Sequence, residues 1–514
     1  MNPGGGKTAH RWVPLGLLLA IIAALALRLP QLDARLMHND EAVNAVKFDK
    51  LWETGAFKYD PNEHHGPSIF YATLPFIWLA RVSDFAHLTE ANLRIVTVCF
   101  GIGIIALLPL FLDGLGRKAV LAAAFFTAVS PAMVFYSRYY IHEILLVFFT
   151  CLALGSAWRY WRSRQLKWAL LAGFGVGLMY ATKETFVITI AAAALALLFN
   201  HIWNRWLDAS GLPIRAAPLN WIHLAAAICI CLATAFVLFS SFFTNFSGPI
   251  DSIRTFLPWV KRAGGESVHI HPWHFYFHRL FWFEVSKGPF WSEGFVFILA
   301  VVGAAAAFIR KGLGDANASF VRFIALFSAI LATVYSLIAY KTPWCLLNFW
   351  LGIILLAGIG AAVMINGLRK IGPVIVTLGT AQIAAQAWQA SVPYANSPAN
   401  PYVYAPTAPD ALNLYSRLNT FPIEPIFVMA PESDYWPLPW YLRRFNQTGY
   451  WDKIPDPPYP RLMLVSAAFR ATLDEDRTYV MVRIYELRPG NFFELYLKHD
   501  LWKAWLAEHP PAPE

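Results

Sequence analysis

Long apolar runs dominate this chain and leave it few folds to choose from. A helix needs about 20 consecutive apolar residues to cross the hydrocarbon core of a bilayer. Runs of that order recur near residues 13–32, 93–113, 119–137, 143–161, 168–181, 185–203, 221–243, 291–309, 320–340, 345–364 and 371–391. In lipid every backbone N–H and C=O has to be satisfied within its own segment, so such runs fold as helices. The expectation is a polytopic α-helical membrane protein with about 11 transmembrane helices. Composition agrees: of 514 residues 57% are hydrophobic and 14% charged, where a soluble domain carries about a quarter charged.

The loops set the orientation. Arg11, Arg117 and Lys118, Arg159 to Lys167, Arg205 and Arg215, Arg310, Lys311 and Arg322, and Arg369 and Lys370 all fall on one side when alternate loops are taken. Basic loops stay cytoplasmic. The net charge of +9 is therefore a topology signal, and no nucleic-acid partner is expected. The expected location is the plasma (inner) membrane, with a cytoplasmic N-terminus, an uncleaved first anchor and a flexible start at Gly4–Gly6. One apolar stretch, Ser68 to Val82, is short and contains Pro75. It reads as a juxtamembrane or re-entrant helix, because a span there would put the later basic loops outside.

From about residue 392 the character changes. A Pro- and Asn-rich stretch is followed by short β-like runs at 425–429, 461–465 and 478–484, with helical patterns at Asp410–Leu418 and Leu438–Arg444. This predicts a division into a membrane domain, 1–391, and a small α/β extracytoplasmic domain, 392–514, with 33–92 as the first extracytoplasmic loop carrying juxtamembrane helices. The five cysteines lie in or beside apolar runs, so they read as core residues and imply no disulfide framework.

The outward side collects the polar clusters. His38, Asp40 and Glu41 follow the first run, and Asp60, Glu63, His64 and His65 precede Gly66-Pro67. Arg138, Tyr139, His142 and Glu143 form a turn, with Glu143 at a helix start where a carboxylate suits the dipole. Lys183 and Glu184 interrupt apolar sequence with almost no loop, so Lys183 either pairs with Glu184 or binds an anion. Lys341, between Tyr340 and Trp344, repeats the situation. Two such lysines plus Arg138 suggest a site for an anionic lipid headgroup such as a prenyl phosphate. His269, His271 and His274 could tempt a metal assignment, but the aromatic residues between them favour an interfacial helix. No P-loop or dinucleotide fingerprint occurs, which argues against a nucleotide donor held in such a cradle.

Asn39-Asp40-Glu41-Ala42, His65-Gly66-Pro67, the Arg138–Glu143 turn, Thr182-Lys183-Glu184 and Tyr340–Trp344, taken in order, resemble the GT-C membrane glycosyltransferases. That superfamily includes protein O-mannosyltransferases and aminoarabinose transferases. The set, with Tyr435–Arg443 and Glu486–Gly490 in the tail, is most similar to a prokaryotic branch labelled flippase activity-associated. The resemblance implies transfer of a sugar from a polyprenyl-phosphate donor to a lipid, glycan or protein acceptor. Asp40 is then the general base, with Glu41 as its catalytic partner. Arg138, Lys183 and Lys341 meet the donor phosphate. His38, His65, Tyr139, His142, Glu143, Glu184 and Trp344 orient acceptor or base. Relatives differ in metal dependence; if a divalent ion is used, Asp40 and Glu143 are the candidate ligands. The chain lacks the Trp-Trp-Asp reader of oligosaccharyltransferases in its tail, which argues against transfer to protein Asn. The alternatives are a flippase or transporter of a lipid-linked sugar and a non-catalytic accessory subunit.

Overall fold

The computed structural model describes residues 12–62, 65–207, 220–264, 269–422, 424–445, 447–473 and 477–510; Gly4–Gly6, Arg11, Glu63, His64 and Arg215 lie outside the described residues. The chain forms two compact units. One comprises residues up to Leu32, Lys50–Ala80 and Ala91–Tyr404; the other comprises Asp33–Asp49, Arg81–Glu90 and Ala405 onward. The second unit thus also takes in two pieces of the first polar loop.

In the first unit each apolar run contains a helix, and among the described residues six helices are long and apolar enough to cross a membrane. A seventh span results if Arg117–Val129 and Pro131–Ser137, bent by 56°, count as one. Trp12–Arg28, Ser68–Ala80, Leu166–Tyr180 and Gly294–Ile309 are apolar but shorter. Burial separates the helices into inner and outer ones. In Pro343–Gly367, 94% of the apolar window is buried, whereas in Trp221–Phe239 it is 11%, so the first is the core of the bundle and the second turns its surface outward. Lipid offers no hydrophobic drive between helices, and close backbone approach takes its place. A Cβ on Gly360 would stand 1.8 Å from the Leu299 carbonyl oxygen, and one on Gly303 would stand 2.2 Å from that of Leu356. Glycine at both positions lets Gly294–Ile309 and Leu347–Gly367 pack backbone to backbone.

The bend at Ser130 aims the polar turn that follows it. Pro131 begins the second piece, and the Glu293 carboxylate, fully buried, supplies acceptors for its first turn. Its oxygens accept from the Ala132 N–H at 2.9 Å, the Ser130 hydroxyl at 2.5 Å and the Tyr402 hydroxyl at 2.7 Å. Two arginines then close helix ends reciprocally. Arg28 donates to the carbonyls of Thr127 and Ala128 at 2.9 and 2.7 Å, and Arg138 donates to those of Arg28, Pro30 and Gln31 at 2.7–2.9 Å. Both satisfy carbonyls that a terminating helix leaves without partners.

The second unit holds a five-stranded sheet in the order β2-β1-β3-β5-β4. Its strands are β1 (Ile426–Met429), β2 (Thr448–Trp451), β3 (Leu462–Ser466), β4 (Tyr479–Arg488) and β5 (Asn491–Lys498). β1 pairs in parallel with β2 and β3, while β5 runs antiparallel to β3 and β4. The expected strands β1, β3 and β4 form. The sequence reading lacked β2, a four-residue half-buried edge carrying Gly449, and β5, which follows a tight Pro489-Gly490 turn with Gly490 at φ +78°. Asp410–Leu418 is the helix expected, Leu438–Arg444 shrinks to Leu438–Tyr441, and His499–Glu508 is a further helix. The Arg81–Glu90 piece is fastened by the Trp440 indole, which donates to Glu90 at 2.7 Å, and by Arg443, which donates to the Leu88 carbonyl at 2.8 Å.

Replacing Glu293 by Ala leaves a buried N–H and two buried hydroxyls without their acceptor, each costing about 1–3 kcal/mol. We expect Glu293→Ala to lower the thermal midpoint of the detergent-solubilised protein well below that of a surface control such as Lys503→Ala, measured by intrinsic fluorescence.

Candidate active site

The acidic pair lies in the second unit, on a helix: Asn39–Thr54 is one helix with Asp40 and Glu41 in its first turn. His38 starts it, because its carbonyl accepts the Ala42 N–H at 2.9 Å. Its Nδ1 accepts the Asp40 N–H at 3.1 Å, and the Glu41 carboxylate reaches back to accept the His38 N–H at 3.1 Å. This is a capping box with histidine in place of the usual Ser or Thr. Arg35 donates to both Glu41 oxygens at 2.8 Å. The two carboxylates are thereby given different fates. Glu41 is 0% exposed, ion-paired and engaged in the cap, whereas Asp40 is exposed at the head of the helix.

The remaining polar turns come together within the first unit. Lys183, between Leu166–Tyr180 and Phe186–Ile202, makes its ion pair with Glu143 at the start of the helix Glu143–Ser163, and both are buried. Glu184 instead takes His65, whose Nδ1 lies 2.8 Å from its Oε2, and accepts the Tyr59 hydroxyl at 3.4 Å. Adjacent residues at a tight turn point in different directions, so Lys183 and Glu184 each find a partner far away in sequence. His65 stacks on Trp259 with ring centroids 5.1 Å apart and meets His142 edge to face at 5.1 Å. His142 in turn lies 3.1 Å from the Gly66 carbonyl oxygen. Gly66 is glycine by necessity, since a Cβ there would stand 2.2 Å from the Ala181 carbonyl oxygen.

Lys341 is 1% exposed, and its ammonium donates to the carbonyls of His271 (2.9 Å) and Ile338. Its described polar contacts include no carboxylate, and burial lowers its pKa from the ordinary lysine value. Trp344 and Tyr139 are buried in an aromatic wall, with Trp344 6.4 Å from Tyr136 and from Tyr139 and 6.1 Å from Tyr404 between ring centroids.

The histidine cluster differs from the interfacial helix expected. Residues 269–271 are extended against 339–341: the His271 N–H donates to the Ala339 carbonyl at 3.1 Å and the Lys341 N–H to that of His269 at 2.9 Å. The helix starts only at Phe275, because the ladder occupies the backbone groups before Pro272. His269 and His271 share the Tyr404 hydroxyl, at 2.7 and 3.0 Å. Among the described residues no group of three or more His, Cys, Asp or Glu side chains is placed to hold a metal ion. Sequence reading gave no signal for Arg35, Tyr59, Trp259 or Glu293, whose partners lie outside any short spacing.

With this geometry in hand, the chain can be compared with known proteins. Residues 70–246 match the family model described as dolichyl-phosphate-mannose-protein mannosyltransferase. No curated protein sequence matches the chain. Among solved structures, ArnT from Cupriavidus metallidurans in its apo state superposes with a TM-score of 0.62 at 12% identity, covering 95% of this chain and 98% of that one. The same protein bound to undecaprenyl phosphate gives 0.58 at 13% identity, covering 94% and 98%. The Archaeoglobus fulgidus oligosaccharyltransferase in its apo form gives 0.53 at 13% identity over 86% of this chain and 65% of its own. The chain has the GT-C membrane fold. Within that fold, turns between helices carry the buried Lys183–Glu143 and His65–Glu184 pairs described above.

Removing one partner of a buried ion pair strands the other charge, at a cost of about 3–5 kcal/mol, whereas replacing both with apolar residues is far milder. Glu143→Leu and Lys183→Met are each expected to destabilise strongly, and the double variant to recover most of the loss. A double-mutant cycle on thermal or denaturant midpoints in detergent measures it.

Proposed function

We propose that this chain transfers a sugar from a polyprenyl-phosphate-linked donor to an acceptor hydroxyl at the extracytoplasmic membrane face, with Asp40 as general base. The observation that carries this reading is the division of labour in the acidic pair. Glu41 is neutralised by Arg35 and occupied by the helix cap, which leaves Asp40 as the exposed carboxylate on a rigid helix start. A base has to be ionised, accessible and held in place, and Asp40 satisfies the last two by geometry. The GT-C fold and the undecaprenyl phosphate bound in ArnT support a lipid-phosphate donor.

In the reaction the acceptor oxygen attacks the anomeric carbon and gives its proton to the Asp40 carboxylate. The bond from the anomeric carbon to the phosphate oxygen breaks, and polyprenyl phosphate leaves with the electron pair. Lys341, a buried cation whose described partners are the carbonyls of His271 and Ile338, offsets the charge gathering on that phosphate. Lys183 adds positive charge while held by Glu143, and Arg138 does so while closing the first helix. His65, His142 and Glu184 shape the acceptor side together with Tyr139 and Trp344, and His38 and Glu41 hold the base. No step is routed through a metal.

Loss of a positioned base costs about 10²–10⁴-fold. Asp40→Asn is therefore expected to fold normally in liposomes and to lower release of labelled sugar from a polyprenyl-phosphate donor by that factor. Equal turnover in both proteins would remove Asp40 from catalysis, and donor crossing the bilayer without turnover would favour a flippase.

Lys341 makes a second prediction. The charged ammonium is the form that binds phosphate, and burial lowers its pKa, so the charge is present at low pH and lost as pH rises through that lowered value. The alkaline limb of kcat/KM is expected below the range in which an ordinary lysine titrates. Lys341→Arg, whose guanidinium stays protonated, should move that limb upward.

A further inference from the structure

The C-terminal part of the chain grips the residue just ahead of the acidic pair's helix, and this grip has no part in the reaction as written above. Met37 is fully buried, and both of its backbone polar groups are taken by side chains from the far end of the sequence. Its N–H donates to the Tyr441 hydroxyl at 3.0 Å, and its carbonyl accepts the Thr407 hydroxyl at 2.6 Å. A third tie runs through Asn39. In the carboxamide orientation that satisfies both neighbours, its nitrogen donates to the Trp436 carbonyl at 3.1 Å and its oxygen accepts from Arg488 at 2.6 Å. Arg488 is itself anchored on Asp434, which also accepts from Asn491 at 2.8 Å.

Three contacts thus bracket the helix start on either side of His38. A single tie would leave the peptide free to pivot, whereas bonds to the N–H and the C=O of one residue plus one to the side chain two positions on fix both its position and its rotation. The capping box then transmits that fix to Asp40 through the Asp40 N–H and the His38 ring. A backbone pair bonded to side chains roughly 370 and 404 positions away is also an expensive way to satisfy two polar groups that water would satisfy in an open loop.

We infer that Tyr441, Thr407 and Arg488 are positioning residues for the catalytic base, so that the C-terminal domain sets the aim of Asp40. The inference rests on the reading of Asp40 as the base. A misplacement of about 1 Å at a reacting group can cost about 10²-fold.

The experiment uses the full-length protein in liposomes. The double variant Thr407→Val, Tyr441→Phe removes two hydroxyls and keeps side-chain shape. It is expected to lower kcat by about 10- to 100-fold with KM changed less than about twofold, and to raise hydrogen exchange at the amides of residues 37–42. Placed on Asp40→Asn, the same two changes are expected to add no further loss, because no base remains to be aimed. Arg488→Met should behave like the double variant and Arg488→Lys should restore part of the rate. Losses that multiply on the Asp40→Asn background, or unchanged exchange at residues 37–42 together with unchanged kcat, would overturn the inference. Failure of the base assignment itself shows separately, as full activity in Asp40→Asn alone, while the exchange measurement still reports whether the grip exists.

Discussion

The buried ion pair between Lys183 and Glu143 is the contact on which the polar end of the helical unit depends. It joins the turn before Phe186–Ile202 to the start of Glu143–Ser163, two helices whose apolar faces alone would leave their relative height loosely fixed. Apolar packing in lipid is permissive because tails and side chains attract alike, so register falls to polar pairs and to close glycine contacts. Once Lys183 is committed to Glu143, Glu184 turns to His65, and Trp259 and His142 gather round that imidazole. The bend at Ser130, held by Glu293, leads into Arg138, which donates to the carbonyls of Arg28, Pro30 and Gln31, and Tyr139, which packs on Trp344.

A second economy operates at the acidic pair. Two adjacent carboxylates would repel, and here one is removed from competition. Arg35 and the His38 backbone absorb Glu41, and Asp40 stays exposed at the helix start. The device resembles catalytic sites in which two like groups are given separate roles by environment rather than by identity. Tyr441 and Thr407 take both backbone polar groups of Met37, which is as buried as a core residue.

Much of this was legible in the sequence for identifiable reasons. The apolar runs had to be helices, and each contains one. The expected strands β1, β3 and β4 combine β-branched and apolar residues with turn signals, and the Asp410–Leu418 helix has its acidic first turn. The polar turns at 138–143, 182–185 and 340–344 stood out because charge between apolar runs is rare. The missed strands are the ones whose pairing partners, rather than their own composition, make them strands: β2 is held by β1, and β5 by β3 and β4.

By itself the sequence determined the class of fold, the apolar helices, three of the five strands and the short list of ionisable residues at the ends of helices. Hydropathy and turn chemistry are local quantities, and a chain reports them wherever it is read. Only the tertiary structure decided the partners. Lys183 sits beside Glu184 in sequence yet pairs with Glu143, and Arg35 finds Glu41 across a helix cap. Tyr441 reaches Met37 from the opposite end of the chain. An ion pair or hydrogen bond is fixed by distances of about 3 Å between side-chain atoms, and such distances are set by how helices and strands pack, which no spacing along the chain records.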